Sequence, residues 1–275
     1  MKAQYSSARA VAIEPALLRD NVGNIAVLTL NRPKTRNTLT EAVLAALSDE
    51  LTTIARDGTV RAVVLAAKGP AFSSGHDLKE LTARRSDPDH GRGYFRHIML
   101  TCSAMMQQIV HLPQPVIAAV QGIATAAGCQ LVASCDLAIA SAEAKFGVSG
   151  INAGLFCSTP MVALSRNVAP KHAMEMLLTG DLISAEDAFR IGLVNRVVAS
   201  GDEFDAALAL ASKIAGKSSL VEKIGKRAFY RQLEMGLDEA YRYTAEVMVE
   251  NMMVHDAEEG IAAFVEKRKP KWKDR

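Results

Sequence analysis

The chain has 275 residues, 49% of them hydrophobic, and a formal net charge of +2. That length gives one large domain, or one domain with a helical appendage, and enough apolar residues for a sizeable core. The near-neutral balance supplies no global field for nucleic acid, and no apolar run approaches the ~20 residues of a membrane span, so neither a nucleic-acid partner nor a membrane span is expected.

The stretch before Glu14 carries Lys2 and Arg9 and no acids, and it lacks the apolar centre of a secretion signal. It is a faint echo of a transit peptide. The expected location is the cytoplasm for a bacterial chain, or the mitochondrial matrix for a eukaryotic one. Residues 11–18 and 25–30 are apolar, β-prone runs, and Asp20-Asn21-Val22-Gly23 between them reads as a hairpin turn. Thr38-x-x-Glu41 reads as a capping box. It opens an amphipathic helix through Leu44, Leu47, Leu51 and Ile54 that ends near Asp57-Gly58. A strand over 61–67 leads into a small-residue turn over 71–78. Residues 86–93 are polar and rich in breakers, which predicts an exposed, mobile loop. A helix over 94–111 is stopped by Pro113 and Pro115, and a strand over 116–120 follows. A second small-residue turn over 121–130 opens a short helix, and 136–140 reads as a buried strand.

From residue 161 the pattern is almost all helical. Helices are expected near 161–167, 171–178, 185–191, 203–215, 220–235, 237–252 and 257–267, with one short strand over 193–198. Strands with helices first and helices afterwards predict an α/β fold: a mixed core over 1–200 and a helical C-terminal oligomerisation region over 201–275. The methionines read as packing rather than as a cofactor box. The four cysteines, Cys102, Cys129, Cys135 and Cys157, form no C-x-x-C pair. They read as reduced and mostly buried, and no metal site is expected. Lys267, Arg268, Lys269, Lys271, Lys273 and Arg275 form either a solvated tail or a helper site for a phosphate-rich ligand.

The two small-residue turns carry the chemistry. Each follows a β-branched apolar run and precedes a helical pattern, so each leaves free backbone N–H groups at a strand tip. Two such tips brought together can grip one carbonyl oxygen and stabilise negative charge on it, which suits a thioester or similar acyl group.

In chain order, the segments Leu30-Asn31-Arg32-Pro33-Lys34, Phe72-Ser73-Ser74-Gly75-His76-Asp77-Leu78-Lys79-Glu80 and Pro115-Val116-Ile117-Ala118-Ala119-Val120-Gln121-Gly122 are followed by Ala127-Gly128-Cys129-Gln130-Leu131 and Cys135-Asp136-Leu137-Ala138-Ile139-Ala140. Then come Thr179-Gly180, Gly192-Leu193-Val194 and Glu259-Gly260-Ile261-Ala262-Ala263-Phe264. Each is modest alone; in this order the chain resembles the enoyl-CoA hydratase/isomerase (crotonase) superfamily along nearly its whole length. The stretches 126–136 and 154–160 look most like one branch of it.

The resemblance implies a crotonase-type spiral of ββα turns with C-terminal helices that build a homotrimer or a dimer of trimers. It implies an acyl-CoA ligand, with coenzyme A arriving as part of the thioester and no permanently bound cofactor. The family's oxyanion donors fall on the N–H groups of His76 and Ala127. Ala126-Ala127 stands where the family commonly has glycines. The His76 side chain has two readings: its ring only packs, or its imidazole moves a proton near the thioester. CoA contacts are implied for Lys34 and Arg36, for Ser74, His76, Asp77, Leu78 and Lys79, and for Phe264 and Lys267 at the adenine end from a neighbouring subunit. Residues 81–98 are expected to shape the acyl pocket.

The departures matter more. Hydratases of the family use two glutamates to activate the added water; here those positions are Gln130 and Gly150. A glutamine orients a water but cannot take its proton, and a glycine has no side chain. Asp136 is the nearest substitute acid, though its place at a strand start suits a structural hydrogen bond, and Glu143 reads as a surface turn residue. Poor hydration is therefore expected. The alternatives are acyl-CoA decarboxylation, thioester hydrolysis, or acyl-CoA binding without turnover.

Overall fold

The computed structural model describes residues 14–275. The transit-like stretch and the first residues of the expected opening strand lie outside the described residues. Two sheets form the body. The six-stranded sheet takes β1 (Leu17–Val22), β2 (Ile25–Leu30), β3 (Ala62–Ala67), β5 (Val116–Val120), β7 (Leu137–Ser141) and β10 (Arg196–Val198) in that spatial order. The four-stranded sheet takes β4 (Ala71–Ser73), β6 (Ile123–Thr125), β8 (Lys145–Gly147) and β9 (Ile183–Ser184). The β1/β2 and β8/β9 pairs are antiparallel and the rest are parallel. Three strands of the larger sheet are each followed by a short strand and then by helix: β3–β4 by α2 (Leu78–Ala83), β5–β6 by α4 (Ala127–Ser134), and β7–β8 by α5 (Pro160–Asn167). Every turn of this spiral adds one strand to each sheet, as the resemblance implies. β4, β6 and β8, three residues each, are too short to show a period in the sequence, where β4 and β6 read as parts of turns and β8 gives no signal.

β3 and β5, in the middle of the sheet, are apolar throughout because both faces are covered. Val63, Leu65 and Val116 point into the main core with α1 (Glu41–Arg56) and α3 (Arg92–His111). Val64, Ala66, Ile117 and Ile139 face Ala207, Ala211 and Ala215, the small stripe that lets α8 (Glu203–Ala215) lie close on the sheet. α8 thus packs with the core although it lies past residue 200. The remaining helices are α6 (Pro170–Thr179), α7 (Ala185–Arg190), α9 (Ser219–Gln232), α10 (Leu237–Met252) and α11 (His255–Val265).

Two local expectations are corrected and two segments gain detail. The first hairpin turns at Gly23-Asn24, since Val22 pairs with Ile25; Asp20 and Asn21 are polar because β1 is an edge strand. The capping box does not form. Thr40 is the N-cap, accepting from the Val43 N–H at 3.3 Å, while Thr38 donates to Asp77 and Glu41 meets His97. Over 86–93 the chain is largely exposed, but Asp89 accepts from the N–H groups of Gly91 and Gly93 and starts α3 at Arg92. The basic residues of the C-terminal segment are exposed, while its backbone and Trp272 are docked. Lys273 N and Asp274 N donate to the buried Asp256, Trp272 Nε1 donates to Gly216 O at 3.0 Å, and Asp274 accepts from Ser219 N and Arg61.

Asp136 has a structural post. Its carboxylate accepts from Val116 N at 2.7 Å, Lys226 Nζ at 2.6 Å and the Tyr230 hydroxyl at 2.9 Å. Lys226 also donates to the carbonyls of Ile109 and Gln114. This cluster bolts α9 to β5, α3 and the start of β7. Burial lowers the Lys226 pKa and raises that of Tyr230.

Candidate active site

β4 and β6 are parallel neighbours, so the turns that follow them emerge side by side. A Cβ on Gly75 (φ +81°) would sit 3.0 Å from both Ala127 N and the Ala126 Cβ, so only glycine lets the first turn close on the second. A Cβ on Gly128 would strike Ser73 O at 2.1 Å, which fixes α4 hard against β4. Ala126 holds φ +52°, a conformation that stores about 1–3 kcal/mol in a residue with a side chain. Its N–H donates to Gly147 O at 2.9 Å and keeps it there. Ala127 is therefore the first residue of α4, with an N–H that has no partner inside the helix. Among the described residues neither the Ala127 N–H nor the His76 N–H donates to a protein acceptor.

The His76 ring places Nδ1 3.3 Å from Leu39 O. A carbonyl only accepts, so Nδ1 holds the proton. Burial pulls the imidazole below its ordinary pKa, so the ring is neutral at physiological pH. Nε2 is then a bare lone pair, buried without a partner. Gln130 stands one turn along α4 from Ala127, 4% exposed, and its Oε1 is also buried without a partner. Gly150 follows β8 and carries no side chain toward this region; Cys157 Sγ accepts from its N–H at 3.3 Å. Burial raises the Cys157 thiol and pushes Cys129 up to about 12, so neither is a ready nucleophile. Glu143 is exposed and Asp136 is fully engaged elsewhere. Two unpaired N–H donors with no carboxylate at Gln130 or Gly150 can hold an oxygen that gains negative charge. They move protons poorly.

Lys34 and Arg36 are exposed on the loop after β2. That loop is tied to the first turn, since Ser74 N donates to Arg36 O at 3.0 Å. The fastening residue is Asn37, which the sequence reading missed. Buried and at φ +52°, it donates to the carbonyls of Lys68 and Ala71 and accepts from Arg32 N. Its signal was residue type: asparagine tolerates the left-handed region. Asp77 caps α2 through Lys79 N and Glu80 N, while Leu78 and Lys79 are exposed beside the turn. Phe264 is 85% exposed on α11. Lys267 lies past the helix expected over 257–267: α11 ends at Val265, and Lys267 sits at φ +56° in a terminal turn closed by Arg268 N to Ala263 O.

The sequence profile described as Enoyl-CoA hydratase/isomerase matches residues 20–275. Human enoyl-CoA hydratase domain-containing protein 3, mitochondrial, is 46% identical over 253 residues, covering 92% of this chain and 81% of the relative. Its crystal structure superposes with a TM-score of 0.89, covering 94% of this chain and 100% of the other. The crystal structure of an enoyl-CoA hydratase from Mycobacterium smegmatis, 53% identical, gives a TM-score of 0.90 over 94% of this chain and 99% of the other. Fold, motifs and these similarities agree: the chain has the crotonase fold and belongs to the enoyl-CoA hydratase/isomerase family.

Proposed function

We propose that this chain binds acyl-CoA thioesters, seats the carbonyl oxygen between the N–H groups of His76 and Ala127, and hydrates enoyl thioesters poorly. The observation that carries this reading is the juxtaposition of the two turns, with Gly75 against Ala127 N and both N–H groups unpaired. Such fixed donors are worth roughly 3–4 kcal/mol each to a developing oxyanion. CoA comes and goes with the thioester, and this chemistry calls for no resident cofactor. Lys34, Arg36 and Lys79 suit the CoA phosphates, and Ser74, Asp77 and Leu78 shape the turn that faces them. Gln130 and Gly150 favour a second reading, in which the site binds acyl-CoA with little turnover. A soluble compartment that holds acyl-CoA, the bacterial cytoplasm or the mitochondrial matrix, is the setting either reading requires.

Ala127→Pro tests the donor pair. Proline is accepted at the first position of a helix but has no N–H. Turnover is expected to vanish and thioester affinity to fall, with some loss of melting temperature because the ring crowds Gly75 and Ala126 at φ +52° precedes it, but with the circular dichroism spectrum of a folded chain. Unchanged activity in a folded variant would remove the donor role from Ala127.

The C-terminal helices support an assembly. Leu237 (78% exposed) and Met253 (79%), with Phe229, Tyr241 and Val265, are large apolar side chains that the C-terminal helices leave uncovered. Sedimentation is expected to report a homotrimer or a dimer of trimers, in which Phe264 and Lys267 of one subunit meet the adenine end of CoA in the next. A monomer at micromolar concentration would remove both the assembly and the shared site.

A further inference from the structure

We propose that residues 268–275 form a latch that holds α11, and with it Phe264, on the body of the subunit, and that Glu222 beneath the latch makes its closure proton-dependent. The part that concerns Phe264 rests on the adenine contact of the acyl-CoA reading above. α11 buries only Asp256 and Ala263, and α10, which leads into it, buries no residue. The C-terminal segment ties α11 to the core. On one side it grips the helix. Arg268 donates to both oxygens of Glu259, at 2.6 and 2.8 Å, and Lys271 N donates to the same carboxylate. The buried Asp256 carboxylate takes the N–H groups of Lys273 and Asp274. The Trp272 indole lies on α11 at Gly260, where an added Cβ would come within 3.2 Å of the ring. On the other side the segment grips the core. Trp272 Nε1 donates to Gly216 O between α8 and α9, and Asp274 accepts from Ser219 N at 2.7 Å and from Arg61 at 2.6 Å.

Glu222, in the first turn of α9, stands beside this junction, with Arg61, Asp274 and Lys217 as the charged groups around it. Its Oε2 is shut off from solvent and has no hydrogen-bond partner. Arg61 gives Nη1 to Asp274 and Nη2 to Lys217 O, and its Nε meets no acceptor, so no hydrogen bond joins it to Glu222. An ionised Glu222 therefore holds a charged oxygen buried and unpaired; a protonated one does not. Burial, opposed by Arg61 and Lys217 and aided by Asp274, raises its carboxyl to about 7. With the latch open, the same carboxyl meets water and ionises near its ordinary 4.5. A closed latch thus keeps a proton that an open one releases. Glu222 favours closure fully below its ordinary range, and that support is lost as the pH rises to about 7. Asp274 works in the opposite direction. Its burial is outweighed by Ser219 and Arg61, which hold its carboxyl low, so its grip is present above the ordinary carboxylate range and is lost only in stronger acid.

Trp272 is the only tryptophan in the chain, so its fluorescence reads the latch directly. Titration of the full-length protein from about pH 5 to about pH 8 is expected to shift the emission to the red and to increase acrylamide quenching, levelling off above about 7. Glu222→Gln cannot ionise and is expected to show no such transition. Calorimetry then tests the positioning of Phe264. At about pH 8, butyryl-CoA is expected to bind the natural protein about fivefold more weakly than Glu222→Gln, the low end of usual coupling between sites. Butyryl-pantetheine lacks the adenine and is expected to bind the two proteins equally. A flat Trp272 signal in the natural protein, or a transition of the same size in Glu222→Gln, would overturn the latch. Equal butyryl-CoA affinities in the two proteins would overturn the positioning of Phe264. If neither thioester binds while the Trp272 transition is present and depends on Glu222, the acyl-CoA reading falls and the latch is upheld.

Discussion

Crotonyl-CoA hydration by this chain is expected to run several orders of magnitude slower than in relatives with glutamate at both positions, since each missing acid–base group contributes ~10²–10⁴-fold and the two combine at least in part. A water that attacks the enoyl thioester must lose a proton, and the α-carbon must gain one. Gln130 cannot carry that traffic, and Gly150 offers nothing. Asp136 cannot substitute, because its carboxylate is held by Val116, Lys226 and Tyr230. Gln130→Glu is expected to recover part of the rate, by roughly 10²-fold at most. Gly150→Glu is expected to recover none. The obstacle is not a positive φ, for Gly150 has none, but a collision: a Cβ there would lie 2.6 Å from Leu155 O and 2.7 Å from Cys157 Sγ. A variant at 150 that restores rate without loss of stability would show that the 154–157 segment yields more easily than this packing implies.

Asp136→Ala is expected to lower folding stability by about 3–5 kcal/mol, the range for removing one partner of a buried ion pair. The side chains of Lys226 and Asp136 are only 9% and 14% exposed. The alanine leaves the ammonium without its counter-charge and strands the Val116 N–H and the Tyr230 hydroxyl. Chemical denaturation monitored by circular dichroism measures the loss. Because the cluster holds α9 against the core, oligomerisation should weaken in the same variant. A loss below about 1 kcal/mol would mean that water replaces the carboxylate freely and that the cluster is not sealed.

The sequence made some of this legible and hid the rest for physical reasons. β3 and β5 stood out because burial on both faces leaves an unbroken apolar run, and α1 because Leu44, Leu47, Leu51 and Ile54 repeat at helical spacing. The small sheet that builds the site did not stand out: three-residue strands carry no period. That the turns mattered was readable from their small residues. That Gly75 closes on Ala127 was not, because the contact depends on the parallel pairing of β4 with β6. The grip of Asp136 on Lys226 spans 90 residues of chain, and no local pattern announces it. Gln130 was readable as a missing base, but its unpaired oxygen is a property of the packed fold. The docking of Trp272 and Asp274 was masked by the basic residues around them.

The most direct test of the central claim pairs calorimetric titration with crotonyl-CoA and hydration kinetics on one sample. The account predicts clear thioester binding together with hydration slowed by orders of magnitude, because binding uses backbone donors and cations while hydration needs the absent carboxylates. No detectable binding, or hydration as fast as in glutamate-bearing relatives, would contradict it.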